Sequence, residues 1–108
     1  MFKKSFESRE PEYFEDVSFR RLCMGKDGRS ALVLGYEVKL TGAEYTILDA
    51  LMKSENFITK EQFETVYGVS RSSVAVHISH VNKKTFPITH RRLIENDGSD
   101  AYRISDTV

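Results

Sequence analysis

The chain has 108 residues, of which 40% are hydrophobic and 30% charged, and its formal net charge is zero. This length corresponds to one domain with a modest core. The single cysteine, Cys23, excludes an internal disulfide framework and favours a reducing compartment. The N-terminus lacks the apolar segment of a signal peptide, and no apolar run approaches the roughly 18–20 residues that span a bilayer. We therefore expect a cytoplasmic protein that contacts no membrane.

The charges are unevenly distributed along the chain. Residues 1–40 carry 8 basic and 7 acidic side chains, and residues 41–68 carry 2 and 5. Residues 69–92 carry 5 basic and no acidic side chains, together with all three histidines, whereas residues 93–108 carry 1 and 4. A locally basic segment in a neutral protein indicates an anionic partner at one face, although the neutral total provides little general affinity for nucleic acid.

The first forty residues predict a small antiparallel sheet. Residues 1–16 are polar and form either an N-terminal arm or a first edge strand, so the domain proper spans residues 17–108. Val17–Met24 is rich in strand-forming residues, and Lys26–Arg29 contains an Asp-Gly turn signal. Tyr36–Leu40 alternates apolar and charged side chains, which is typical of a half-buried strand.

Two capping boxes mark the starts of two helices. Thr41 and Glu44 form the first, and Thr59 and Gln62 repeat the spacing. The first helix is expected to end near residues 54–56. Apolar residues follow at helical spacing in both helices: Tyr45, Leu48 and Met52 in the first, and Phe63, Val66 and Tyr67 in the second, where Gly68 is placed to end the helix.

A third helix is predicted to start at Ser70, which can act as its N-cap. Val74, Ile78 and Val81 form its apolar side, and Pro87 is expected to prevent its continuation. We predict one core that joins sheet and helices and buries Leu48, Leu51, Phe63, Val74, Ile78, Val81 and Tyr102.

The C-terminal residues predict a closing hairpin. Leu93–Ile94 and Ala101–Ile104 flank a polar loop that contains Asp97-Gly98. About three residues separate the second and third helices, which is the spacing of a helix-turn-helix. The predicted fold is therefore α+β: a winged helix-turn-helix with a small N-terminal antiparallel sheet, three helices and a C-terminal β-hairpin wing.

The outward side of the third helix suits DNA. At about 100° per residue, the side opposite Val74 carries short hydroxyls, an imidazole and a lysine, which can reach groove edges and phosphates. The predicted groove-facing residues are Ser72, Ser73, Val76, Ser79, His80 and Lys83, and the wider DNA-binding set adds Arg71, His77, Lys84, Arg91, Arg92 and Arg103. His77 and Lys84 are predicted on one flank of this side, and Asn82 on the other. Val76 suits a thymine methyl group. The alternative interpretation is an ordinary solvated helix side.

The stretch from about Val17 to Ser105 resembles the DNA-binding effector domain of OmpR/PhoB-type response regulators, the regulators of two-component systems. Four segments carry the resemblance in chain order: LTGAEYTILDALM (40–52), FITKEQFETVYG (57–68), SVAVHISHVNKK (73–84) and RRLIENDGSDAYRI (91–104). The resemblance implies a four-stranded N-terminal sheet, three helices and a wing. It also implies binding to direct-repeat promoter DNA, usually as a tandem homodimer, and contact with RNA polymerase.

The chain departs from the family pattern within the implied DNA site. At two positions of the third helix where the family has arginine, this chain has His80 and Asn82. At a third position, where the family frequently has a basic residue, this chain has Ser79. The loop between the second and third helices, which touches RNA polymerase in several members of the family, is shortened to a tight turn. The tip of the wing carries Glu95, Asp97 and Asp100, whose negative charges would repel phosphates. The chain is either a stand-alone effector or part of a longer protein with a receiver domain.

No other chemistry is indicated by the sequence. His77 and His80 have the spacing of metal ligands on adjacent helix turns, but no cysteine or carboxylate lies nearby in sequence to complete a site. We expect no metal, no cofactor, no small-molecule substrate and no enzyme activity. Two functions are compatible with the residues: sequence-specific binding of double-stranded DNA in transcription regulation, or a winged-helix protein-interaction module that has lost most DNA contacts.

Overall fold

The computed structural model describes residues 22–54 and 56–105. The predicted arm or edge strand at residues 1–16, and the first part of the strand predicted at Val17–Met24, lie outside the described residues.

The N-terminal sheet is antiparallel. It contains β1 (Leu22–Met24), β2 (Ser30–Val33) and β3 (Tyr36–Lys39) in the order β1-β2-β3. The described residues thus supply three of the four strands that the family resemblance implies. The Asp-Gly turn is confirmed: Gly28 has φ +73°, and the Asp27 carboxylate accepts from the Arg29 amide at 2.9 Å.

The alternation predicted at Tyr36–Leu40 is right at Val38 and Leu40, which are buried, and wrong at Tyr36. The Tyr36 side chain is 65% exposed, and it lies at the tight turn that joins β2 to β3.

Helix α1 spans Gly42–Lys53, and its capping box is confirmed. The Glu44 amide donates to Thr41 Oγ1 at 3.2 Å, and the Thr41 amide donates to Glu44 Oε1 at 3.0 Å. The helix ends at Ser54, as predicted. Tyr45 is only partly buried, since its hydroxyl donates to the Gly25 carbonyl at 2.6 Å at the edge of the core.

Strand β4 (Ile58–Thr59) leads directly into helix α2 (Lys60–Tyr67), whose capping box and terminal Gly68 are also confirmed. The predicted apolar side of α2 is wrong beyond Phe63, because Val66 is 68% exposed and Tyr67 40%. The helix has only two turns, and the chain reverses at Gly68 (φ +74°). Val69, after this reversal, therefore supplies the next buried side chain.

Helix α3 spans Arg71–Thr89, and Ser70 is its N-cap residue, as predicted. The Ser70 hydroxyl makes no capping hydrogen bond and lies 3.1 Å from the Ser72 hydroxyl. The expectation that Pro87 would prevent the continuation of the helix is wrong. Pro87 lies within the last turn. Because Pro87 has no N–H group, the Lys83 carbonyl, four residues earlier, receives no helical hydrogen bond. Lys83 is exposed, so water can solvate this carbonyl and the helix continues past the proline. The helix instead ends at His90, whose φ is +61°.

The predicted closing hairpin is present. Strands β5 (Ile94–Asn96) and β6 (Ala101–Ile104) pair antiparallel, and β4 adds to β6 to give the order β4-β6-β5. The predicted core is confirmed, with all seven residues 8% exposed or less: Leu48, Leu51, Phe63, Val74, Ile78, Val81 and Tyr102. None of the helices in the described part of the chain has the length and apolar character that crossing a membrane requires.

Candidate nucleic-acid interface

The outward side of α3 carries most of the residues predicted to face DNA. The buried side of the helix consists of Val74, Ile78, Val81 and Thr85. Exposed on the other side are Ser72, Val76, Ser79, His80 and Lys83. Val76 is 52% exposed, so an apolar group lies in the middle of a polar helix face. This surface combines a methyl-bearing side chain with hydroxyls, an imidazole and an ammonium group.

Two residues of the predicted set are less available than the helical spacing indicates. Ser73 is half-buried, and its hydroxyl donates to the Ser70 carbonyl at 2.9 Å. His77 is also half-buried, on the flank where it was predicted. Both residues therefore border the exposed surface rather than lie at its centre.

Lys84 is held against the body of the domain. Its Nζ lies 2.6 Å from Glu44 Oε1 and donates to the Lys39 carbonyl at 3.0 Å. Only 2% of the Glu44 side chain is exposed. Burial by itself raises the pKa of Glu44, but the hydrogen bonds from Lys84 and the Thr41 amide outweigh it and hold this pKa below its usual value. The site therefore contains a buried carboxylate in its charged form.

The arginines of the predicted DNA-binding set differ in their surroundings. Arg71 Nε lies 3.6 Å from Glu64 Oε1, and the Arg71 amide also donates to this carboxylate. Arg103 Nε lies 3.0 Å from Glu95 Oε2, and its guanidinium lies over the Phe57 ring at 4.9 Å. Within residues 22–54 and 56–105, the cations of the predicted set that make no ion pair are Lys83, Arg91 and Arg92.

A groove of about 360 Å³ separates α3 from the hairpin. Arg92 forms part of its wall, between residues of α3 such as Ser79 and residues of the hairpin such as Asn96. Asn82 joins the two sides: its Oδ1 accepts from the Ile94 amide at 2.8 Å, and its Nδ2 donates to the Ile94 carbonyl at 3.1 Å. The helical spacing placed Asn82 on a flank but did not reveal this contact, which no local pattern indicates.

The wing is less acidic at its base than its sequence suggests. Glu95 belongs to β5 and faces Arg103 across the hairpin, so it was wrongly assigned to the tip. At the tip, the Asp97 carboxylate accepts from the amide and hydroxyl of Ser99, both at 2.8 Å. These hydrogen bonds lower the pKa of Asp97 and keep it charged. The exposed acids of the tip are thus Asp97 and Asp100.

His77 and His80 have no further metal ligands beside them: the described part of the chain contains no cluster of three or more histidine, cysteine, aspartate or glutamate side chains able to hold an ion.

No protein-family model and no curated protein matches the sequence, but solved structures match its fold. The C-terminal domain of the nisin resistance regulator NsrR, a lantibiotic response regulator, matches with TM-score 0.67 and 21% identity over 84% of this chain and 98% of that domain. The C-terminal effector domain of BfmR from Acinetobacter baumannii matches with TM-score 0.59 and 25% identity over 88% of this chain and 94% of that one.

The Thermotoga maritima response regulator DrrB, an OmpR/PhoB homologue, matches with TM-score 0.62 and 22% identity over 93% of this chain and 47% of its own. The chain spans between 42% and 47% of the longer solved chains that it matches. The fold is that of the winged-helix effector domain of OmpR/PhoB-type response regulators, as the sequence predicted.

Proposed function

We propose that this domain binds double-stranded DNA with α3 in the major groove and regulates transcription, without enzyme activity of its own. The observation that carries the proposal is the exposed side of α3, where hydroxyls, His80, Lys83 and the unusually exposed Val76 occur together and no acid interrupts residues 69–92. Such groups suit base edges, thymine methyls and phosphates. We propose the cytoplasm as the location of this activity, as the sequence predicts.

The groove between α3 and the hairpin supports the same proposal. Arg92 lies exposed in its wall, and Arg91, also exposed, precedes it in the chain, so both can contact the phosphates of a strand that follows α3. Three cations without ion pairs give a single domain weak affinity. We therefore propose that two copies bind neighbouring half-sites, with RNA polymerase as the further partner.

A titration of duplex DNA at two salt concentrations tests the proposal. Binding that weakens steeply with salt is expected, because phosphate contacts release counterions. The sharper test compares Val76→Asp with Val66→Asp, since both valines are more than half exposed but Val66 lies on α2. The first change places a carboxylate against the phosphates and should weaken binding about tenfold, on the order of 1.4 kcal/mol. The second should leave affinity unchanged.

Sequence specificity requires its own experiment. Selection from random duplexes should yield a preferred site, and Val76→Ala or His80→Ala should change that preference rather than the affinity for mixed-sequence DNA. Recovery of random sequences after several rounds would restrict the function to non-specific binding.

A protein-interaction module is the second candidate. The acidic hairpin tip and the intramolecular pairing of Arg71, Lys84 and Arg103 favour it, because these features reduce attraction to phosphates. Absence of DNA binding at both salt concentrations would support this second function and exclude the first.

A further inference from the structure

Lys84 stands in the basic segment beside Lys83, but the two side chains have different surroundings. Both side chains are exposed, that of Lys84 to 37%, but Lys83 makes no ion pair within the described residues. The Lys84 ammonium contacts Glu44 at 2.6 Å and the Lys39 carbonyl at 3.0 Å, so two of its three donors are used within the domain.

We propose that Lys84 is a positioning residue, which anchors the DNA-facing helix α3 to Glu44 and does not contact phosphate. The proposal rests on the proposed DNA-binding function and concerns how its surface is held in place.

The buried Glu44 carboxylate requires a charged partner, and Lys84 supplies it. Glu44 is 1% exposed and lies in the first turn of α1, where it accepts from the Thr41 amide. A buried carboxylate without a charged partner is strongly destabilising, whereas one exposed phosphate contact contributes little. Lys84 therefore gains less from turning toward a phosphate than the domain loses when Glu44 is left alone.

The contact joins three elements at one point. Lys39 ends β3, Glu44 begins α1 and Lys84 lies within α3, so the pair fixes α3 relative to both. The second oxygen of Glu44 lies 3.6 Å from Nδ1 of His80, one turn before Lys84. The ring of His80 is 55% exposed on the outward side of α3. Glu44 thus borders the DNA-facing surface from beneath and limits how α3 can rotate.

The first arm of the test needs no DNA. Lys84→Met should lower the melting temperature by more than about 10 °C, because it leaves the buried Glu44 carboxylate without its charged partner. Glu44→Gln should lower it less, because the Lys84 side chain is 37% exposed and water can solvate its ammonium. The double variant should recover most of the loss seen in Lys84→Met. Glu44→Gln should also shift the imidazole NMR signals of His80, and Lys83→Ala, the matched control, should not. Additive melting shifts, or unchanged His80 signals, would overturn the proposal.

The second arm measures affinity for a mixed-sequence duplex of about 25 base pairs between about 50 and 200 mM salt. Lys83→Ala should lower the slope of log affinity against log salt by about 0.9, the value of one lost phosphate contact. Lys84→Arg, which retains the pair, and the double variant Glu44→Gln/Lys84→Met should keep the slope of the parent chain.

A loss of about 0.9 in the double variant would identify Lys84 as a phosphate contact and refute its positioning role. If the parent chain binds no DNA, the proposed function fails, whereas the melting and NMR data of the first arm still decide whether Lys84 holds α3 to Glu44. The two arms thus distinguish a wrong function from a wrong assignment of Lys84.

Discussion

Helix α3 and the wing both carry basic residues but present them differently. On α3, Lys83 faces outward with no acid in the surrounding sequence, and Lys84 is paired with Glu44. In the wing, Arg103 is matched by Glu95, and the exposed tip is acidic. A basic residue in the sequence therefore becomes a basic surface only when the fold leaves it without an acidic neighbour. This difference predicts that DNA affinity depends mainly on α3 and little on the wing.

The largest effect should come from the core that holds α3. Ile78→Ala or Leu48→Ala should lower the free energy of unfolding by about 2–5 kcal/mol, because each removes a buried side chain and leaves a cavity. Chemical denaturation measures the change. Val66→Ala, on an exposed residue of α2, provides the control and should cost less than about 0.5 kcal/mol. Melting of both core variants at the parent temperature would contradict the assignment of the core.

A smaller effect should follow when the link between α3 and the wing is cut. Asn82→Ala leaves the amide and carbonyl of Ile94 without their partner and should cost about 1–3 kcal/mol of stability. Hydrogen exchange of the Ile94 amide should accelerate, whereas exchange in β2 should not change. If the exchange of both regions rises equally, Asn82 stabilises the whole domain rather than the link.

The third effect in size should come from low pH, which should weaken the contact between Lys84 of α3 and Glu44. The pKa of Glu44 is lowered in the folded state, so the unfolded chain binds the proton more readily. The stability that Glu44 contributes is therefore complete above its ordinary pKa of about 4.3 and is lost as the pH falls through the lower folded value. Melting temperatures of the parent and Glu44→Gln measured from neutral to acid pH should converge. A constant difference between them would contradict this prediction.

The smallest effect should come from the wing. Glu95→Gln combined with Asp100→Asn removes two negative charges and should tighten DNA binding by about 1 kcal/mol or less, mainly at low salt. Asp97 is left unchanged because its carboxylate holds the turn. Asp49→Asn, at an acid of α1 that is paired with Lys53, measures the effect of removing one negative charge elsewhere in the domain. Weaker binding of the wing variant at every salt concentration would indicate that the wing acids make a favourable contact.

The elements that could be predicted from the sequence are those whose stabilising contacts lie within a few residues. The capping boxes at Thr41 and Thr59 join residues three apart, and Gly68 adopts a positive φ, which glycine reaches most readily. The buried sides of α1 and α3 follow from helical spacing, since a stripe of apolar residues has to face the core. These local rules were sufficient for the α+β winged helix and for the exposed side of α3.

Only the tertiary structure decided which charged and polar residues of that surface remain available. Lys84 contacts Glu44 from 40 residues away, and Asn82 contacts Ile94 from 12, so no local pattern could predict either. Exposure of Val66 likewise depends on where the chain turns at Gly68. Helical periodicity predicts the direction in which a side chain leaves its helix. Which residue it contacts depends on how distant segments of the chain pack together. Ion pairs and hydrogen bonds form only between atoms that lie close in space, whatever their separation in sequence.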